Sequence, residues 1–454
     1  MARTLINRVT RPFEHVARQW PLTLLLISLL LVFSVERPAP ASIETRLNRD
    51  LAQQRFNFVR WELRALWEDL THDLISPQRY MSEQNRHDFL LDYLVLVGEF
   101  QNVEAEIHLI YVNPEIEDPD AATAELRARR EELRAIIGAR QSTAEAILEE
   151  QVASVLEDEG FGVLGQELPP VEVRFTPLPR LLVISPRTHI ERIHQLSLTH
   201  GLGVAQQEAI EEEIDATYDV SSLITGIGGL SAYPSMLLES SSLNWVAEVT
   251  AHEWTHHYLT PRPLGRNYNT SGETRRINET VASIVGKEVG RKVVARYYPE
   301  HLPPEPEPDL RPEEPEEQED ESSKPEAFDF RMEMRETRIK IDELLTEGKV
   351  EEAETYMERR REVFVEHGYP IRKLNQAYFA FHGAYAAQPG AAGKDPIGPA
   401  VRELFARSAD LHTFVSHVAG VTTLDDLEII LEELQQGDPT GVSADRLTND
   451  TDGS

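Results

Sequence analysis

The stretch that decides the fold reads SLNWVAEVTAHEWTHHYL at residues 242–259. Serines at 240–242 can cap a helix here, and residues four apart on a helix share one face. His252 and His256 have that spacing, so their two imidazoles can converge on one metal ion. Glu253 lies about 100° round the helix from His252, and this position suits a general base better than a ligand.

A third ligand can come from the segment NETVA at residues 278–282, which has the apolar spacing of a second helix. Glu279 lies in this segment, 23 residues after His256. Glu273 is the competing carboxylate, but the surroundings at 271–276 read as a solvated loop. The chain has no cysteine, so any metal must be held by histidine and carboxylate. The predicted ligands are His252, His256 and Glu279, and His257 is assigned a structural or supporting role.

The pattern His252-Glu253-x-x-His256 followed by Asn278-Glu279-x-x-Ala282 resembles the gluzincin metallopeptidases, which include thermolysin and the zinc aminopeptidases. With GKE at 286–288 and LNQA at 374–377, it looks more closely like a group of bacterial membrane-anchored proteins described as predicted aminopeptidases. The resemblance covers about residues 226–405 without the acidic insertion. It implies a Zn²⁺ cofactor and peptide-bond hydrolysis by Glu253-assisted attack of a zinc-bound water.

Two departures from the family pattern bear on specificity. Ser283 stands where thermolysin-type enzymes have an Asp that orients a zinc ligand, so another group must do this here. The Gly-x-Met-Glu-Asn segment that holds a free amine in aminopeptidases is missing from the sequence. Exopeptidase and endopeptidase action are therefore equally open.

The resemblance also implies a substrate-binding edge strand and a group that steadies the oxyanion. The segment 228–239 is similar to the edge strand against which such enzymes lay the substrate backbone. Tyr385 and His382 are both candidates for the oxyanion-stabilising residue, and the choice between them stays open. Tyr378 is a poorer candidate because it lies on another helix face.

The N-terminus carries a localisation signal. Arg3, Arg8, Arg11 and Arg18 precede an uncharged run at 19–35, whose 17 residues reach the lower limit of about 17–25 for a transmembrane helix. The basic side should stay in the cytoplasm. We therefore expect a single-pass anchor in a bacterial-type cytoplasmic membrane with the catalytic part on the extracytoplasmic side. A cleaved signal peptide ending near residues 39–41 is the alternative.

Composition limits the partners and outlines the domains. With 78 acidic and 45 basic residues in 454, the net charge is −33, which disfavours nucleic acid as a partner. The expected fold class is α+β and mostly helical. The predicted units are a cytoplasmic basic segment (1–18), an anchor (19–35), a helical region (43–158), the first part of the metallopeptidase domain (159–300), an acidic Pro-rich linker (301–327), the helical second part (328–434) and a polar tail (435–454).

The sequence thus predicts a membrane-anchored zinc metallopeptidase that acts on a peptide or protein substrate. Two alternatives remain: a zinc hydrolase of a non-peptide amide or ester, and a membrane-anchored binding or scaffold protein with a vestigial metal site. The intact set of His252, Glu253, His256 and Glu279 argues against a vestigial site. Substrate identity, the role of the acidic linker and the oligomeric state stay open.

Overall fold

The structure is a computed structural model that describes residues 43–73, 76–112, 116–162, 167–304, 328–384 and 393–435. Within these ranges most residues are helical, and the strands form two sheets of three strands each. The expected α+β, mostly helical class is confirmed.

The predicted basic segment and anchor at 1–35 lie outside the described residues, as do most of the acidic linker, at 305–327, and the tail from 436. None of the helices within the described ranges is long and apolar enough to cross a bilayer. The anchor therefore stays a prediction.

Two long helices, Glu83–Val112 and Ala124–Leu156, pack along each other in the first part of the described chain. Prolines at 77 and 119 predict breaks in the helical region, and the structure has a short 3₁₀ turn (Pro77–Tyr80) and a four-residue helix that begins at Pro119 between the longer segments. The helices are α1 (Ile43–Asp50), α2 (Phe58–Asp73), α3 (Glu83–Val112), α4 (Pro119–Ala122) and α5 (Ala124–Leu156).

The two sheets lie in the middle of the chain. One has the order β3-β2-β4 and is antiparallel, while the other has the order β1-β6-β5, with β1 parallel and β5 antiparallel to β6. The alternating or apolar runs at 171–175, 181–184, 228–233 and 236–238 predict β1, β2, β5 and β6, whereas the sequence pattern does not predict β3, β4 or helix α6. The elements are β1 (Val173–Phe175), β2 (Arg180–Pro186), β3 (His194–Leu198), α6 (Val204–Tyr218), β4 (Val220–Thr225), β5 (Gly229–Leu230) and β6 (Ser235–Leu237).

A buried ion pair attaches the β1-β6-β5 sheet to α5. Arg174 Nη1 lies 3.0 Å from Glu145 Oε2, and both side chains are almost completely buried. Glu145 Oε1 also accepts a hydrogen bond of 2.7 Å from the backbone N–H of Phe175. A buried charge needs such compensation. The pair therefore holds β1, and through it β6 and β5, at a defined place on the helical part.

Three helices follow the sheets: α7 (Leu243–Leu259), α8 (Pro263–Arg266) and α9 (Gly272–Tyr297). The predicted serine cap of α7 is confirmed, because Ser242 Oγ accepts a 3.4 Å hydrogen bond from the N–H of Trp245. Trp254 anchors the middle of α7: its Nε1 donates to the Pro169 carbonyl at 2.7 Å, and its ring packs 5.3 Å from that of Phe161. These contacts fix the rotation of α7 about its axis, and hence where its histidines point.

Helices α7 and α9 pack with their backbones almost in contact. A Cβ at Gly290 would lie 2.8 Å from the backbone N of Glu248, and one at Gly286 would lie 2.8 Å from its carbonyl oxygen and 3.1 Å from Cβ of His252. Such distances exclude any larger residue unless the backbone moves. The two glycines therefore set the separation of the helices that carry the predicted metal ligands.

The rest of the described chain is helical. The sequence predicts a pair of helices at about 330–347 and 350–367, which is confirmed, and a third at about 373–387. The third begins later than predicted, at Gln376, because Asn375 caps its start by accepting from the N–H of Tyr378 at 2.9 Å. Helix α13 packs on α9. The elements are α10 (Phe330–Thr346), α11 (Val350–Glu366), α12 (Gln376–His382), α13 (Ile397–Arg407), α14 (Leu411–Val418) and α15 (Leu424–Gln435).

We predict that Gly290→Ala lowers the free energy of unfolding by about 1–3 kcal/mol, because the new methyl group forces α7 and α9 apart. The matched control is Gly138→Ala on α5, where a Cβ meets nothing within 4 Å. That change should leave stability unchanged or raise it by up to about 1 kcal/mol. Urea unfolding followed by circular dichroism measures both, and equal effects of the two substitutions would contradict the proposed close packing.

Candidate metal centre

Three predicted ligand atoms converge between α7 and α9. His252 Nε2 lies 3.2 Å from His256 Nε2, and Glu279 Oε2 lies 3.5 Å from the first and 3.7 Å from the second. Among the described residues, these three are the group of His, Asp and Glu side chains placed to share one metal ion. The three side chains predicted as ligands therefore lie close enough together to bind one ion.

The three atoms fit a small divalent cation. Nitrogen and oxygen ligands about 2.1 Å from one tetrahedral ion are about 3.4 Å apart, close to the three separations found. Glu279 is 4% exposed, and its Oε2 has no hydrogen-bond partner among the described residues. A buried carboxylate is costly unless positive charge compensates it, and here either a protonated His256 or a bound cation can do so. Two imidazoles and one carboxylate suit several first-row divalent ions, zinc among them.

Two further side chains hold the ligands in place, and neither was predicted. Asn278 Oδ1 lies 2.7 Å from His256 Nδ1, so it can accept a hydrogen bond from a proton on Nδ1. That hydrogen bond leaves Nε2 of His256 free to bind metal. The hydroxyl of Tyr268 donates to Glu279 Oε1, which turns Oε2 towards the histidines. Asn278 could have been suspected because it neighbours Glu279. Tyr268 lies between α8 and α9, where no periodic pattern marks it.

Glu253 is buried beside the cluster and is not one of the three ligands. Its Oε2 accepts a 2.5 Å hydrogen bond from Ser231 Oγ. A Cβ on Gly229 would lie 2.2 Å from Oε1 of Glu253, so only glycine lets the backbone of β5 lie against this carboxylate. β5 is an edge strand of its sheet, but β6, in the same segment 228–239, is the central strand, so only part of that segment is an edge. Glu253 therefore lies against the backbone of β5 and next to His252 along α7.

The charges of the ligands are coupled. Burial by itself lowers the pKa of His256, but the adjacent Glu279 carboxylate outweighs it and raises that pKa to about 9. Burial would likewise raise the pKa of Glu279, yet His256 and His252 hold it well below its ordinary value. Glu279 binds a cation in its ionised form. His256 must lose a proton before it can bind a cation.

Other residues singled out in the sequence have different surroundings. His257 is buried, with Nε2 3.0 Å from Ser235 Oγ, and burial lowers its pKa to about 4, in agreement with a structural role. Glu273 lies in the first turn of α9, so the loop predicted at 271–276 is wrong. The cause is the cap at Ser271, which accepts from the N–H of Thr274 at 3.0 Å and starts the helix earlier.

The structure leaves the choice of oxyanion-stabilising residue where the sequence left it. His382 is at the end of α12, its ring 4.2 Å from that of Tyr378, and burial lowers its pKa to about 4. Among the described residues, the ring of His382 contacts Tyr378 and Phe381 rather than the three predicted ligands. Tyr385 lies outside the described residues. Both assignments stay predictions.

Comparison with known proteins adds no further information on identity. No protein-family model, curated protein or solved structure matches this chain.

We predict that Tyr268→Phe lowers metal affinity about 10–100-fold, because Glu279 loses the donor that orients it. Competition with a chromogenic chelator measures the affinity. Tyr80→Phe, at a side chain that is largely exposed, is the control and should keep wild-type affinity. Equal affinities of the Tyr268 variant and the wild type would show that this hydroxyl does not orient Glu279.

Metal binding should release protons. At pH 7.5, below the pKa of about 9, His256 carries a proton that a metal ion must displace. We expect about one proton released per ion, and an affinity that rises about tenfold per pH unit between pH 6.5 and 8.5. Calorimetric titration with Zn²⁺ in buffers of different ionisation enthalpy measures the release. A pH-independent affinity would contradict the coupling of His256 and Glu279.

Proposed function

We propose that this protein is a zinc-dependent hydrolase that cleaves peptide bonds. The observation that carries the proposal is the convergence of His252, His256 and Glu279, with the separate carboxylate of Glu253 beside them. A structural metal site would use all its ligands to close the coordination shell, whereas three protein ligands leave a position for a reactant.

Each side chain has a defined task in this proposal. His252, His256 and Glu279 hold the ion, and zinc, when bound, supplies Lewis-acid polarisation of the substrate carbonyl. Glu253 takes a proton from the attacking water and can return it to the departing amine. Ser231 Oγ donates a hydrogen bond to Glu253 Oε2 and so orients this carboxylate. Burial of Glu253 strengthens these interactions by limiting competing water.

The position of β5 favours a peptide over other amides and esters. Its outer edge pairs with no other strand in the part of the chain that the structure describes. A peptide can add to such an edge through backbone hydrogen bonds. Because Gly229 of β5 lies against Glu253, a peptide added there would pass close to the general base. If residues 19–35 form the expected anchor, this cleavage takes place outside the cytoplasmic membrane.

The test compares the wild type with Glu253→Gln. The purified full chain, loaded with Zn²⁺, is incubated with casein and with a library of quenched fluorescent peptides. We expect Glu253→Gln to keep one zinc per chain and to lose activity at least about 100-fold, since it loses the proton acceptor but no ligand. Metal content is measured by atomic absorption.

Two further variants separate the ligand from its competitor. Glu279→Gln should lose zinc, while Glu273→Gln, on the same helix, should keep both zinc and activity. A wild type that binds no zinc would refute the metal site. A zinc-loaded wild type that cleaves neither casein nor any peptide would refute the peptidase and favour the scaffold alternative.

A further inference from the structure

A small cavity of about 50 Å³ lies beside the candidate metal centre, at the N-terminal end of α9. Four arginines line it: one in the segment before β3, two in the first turns of α9 and one on α10. They are Arg192, Arg275, Arg276 and Arg338. Such a concentration of positive charge is unexpected in a chain whose net charge is −33.

Two of these arginines are neutralised by carboxylates. Arg276 Nε lies 2.5 Å from Asp395 Oδ2, and Arg338 Nε lies 2.8 Å from Asp342 Oδ2. The other acidic residue at the cavity, Glu191, faces His189 Nε2 at 3.0 Å. The acidic side chains at the cavity thus have other partners.

Arg192 and Arg275 are the two that remain. They are 9% and 7% exposed, and within the described ranges no carboxylate lies within 4.0 Å of either guanidinium. Both Nε atoms are buried without a hydrogen-bond partner among the described residues. Their other contacts are weak: Arg192 Nη2 donates to the Tyr268 hydroxyl at 3.4 Å, and Arg275 Nη1 donates to the Arg192 carbonyl at 3.4 Å. Both guanidinium groups also lie over the ring of Tyr268, 5.8 Å and 5.7 Å from its centroid.

Two buried guanidinium groups are costly when no carboxylate is in contact with either, and Glu279 offsets the charge of Arg275 only from beyond ion-pair distance. Burial, with repulsion from Arg192, lowers the pKa of Arg275 to about 10, so it is still protonated at neutral pH. The N-terminus of the 26-residue helix α9, at Gly272, adds partial positive charge to the same cavity. An oxyanion would satisfy all three groups, and a guanidinium fork matches a carboxylate in geometry.

The cavity is close to the proposed reaction site. Arg192 donates to the Tyr268 hydroxyl, and that hydroxyl donates to the metal ligand Glu279. Arg275 lies one helical turn before Glu279 on α9.

We propose that Arg192 and Arg275 form a subsite that binds a carboxylate of the substrate, next to the Tyr268 side chain that contacts Glu279. The proposal rests on the proposed peptidase function and deepens it by naming a substrate class. The carboxylate can be the C-terminal group of the peptide or an acidic side chain, and both present the same two oxygens to the arginines.

The first experiment needs no catalysis. Binding of N-acetylglycine and of N-acetylglycinamide to the full chain is measured by ligand-observed NMR at constant ionic strength. We expect the acid to bind at least tenfold more tightly than the amide. Arg192→Gln and Arg275→Gln should each weaken acid binding at least tenfold, while Arg266→Gln, at an exposed arginine of α8, should not. Equal binding of acid and amide to the wild type would overturn the proposal.

The second experiment uses cleavage. Peptides that differ only in a free or amidated C-terminus, or in Glu or Gln next to the cleaved bond, are compared by kcat and KM. A preference for the free acid assigns the C-terminal carboxylate, and a preference for Glu assigns the side chain. In either case Arg275→Gln should raise KM at least tenfold for the preferred peptide and leave the uncharged one unchanged. Equal cleavage of all peptides would overturn the subsite.

The two experiments fail independently of each other. If no peptide is cleaved but the arginine variants lose N-acetylglycine binding, the subsite stands and the peptidase function falls. If peptides are cleaved without regard to charge, the function stands and the subsite falls. The acid and amide comparison on the wild type needs no variant, so a poorly folded variant cannot obscure the result.

Discussion

The close approach of α7 and α9 at Gly286 and Gly290 is the contact on which the other features of the site depend. Helices normally pack 8–10 Å apart, at a distance set by the side chains between them. Here Cβ atoms are missing at both points where α9 crosses Glu248 and His252. The ligand from α9 can therefore reach the two histidines of α7 across the narrow gap, and one ion can touch all three.

Two of the predicted ligands are each held by a hydrogen bond with a neighbouring side chain, and one of those neighbours is itself held by a further side chain. The ligands His256 and Glu279 are held by Asn278 and Tyr268, and Tyr268 is in turn contacted by Arg192. Negative charge at Glu279 and positive charge at the arginines thus face each other across one phenol ring. Tyr268 is thus the side chain that connects the candidate metal centre with the arginines of the neighbouring cavity.

Sequence patterns predicted the helices well where their periodicity is strong. The long helices α3 and α5, the capped α7 and the pair α10 and α11 all fall near the predicted segments. The failures have local causes. Strands β3 and β4 carry polar residues such as Ser197, Ser221 and Ser222, which blur the apolar pattern. The start of α9 was predicted as a solvated loop because of Gly272 and the arginine pair at 275–276. In the structure Arg275 is buried.

By itself the sequence determined the features that depend on residues close together along the chain. His252 and His256 share a face because a helix repeats every 3.6 residues, and Glu253 is turned away from them for the same reason. Only the tertiary structure decided the contacts that join distant segments: the distance of Glu279 from the two histidines, Ser231 beside Glu253, and Arg192 next to Arg275. Those contacts depend on how helices and strands pack, which no local period encodes.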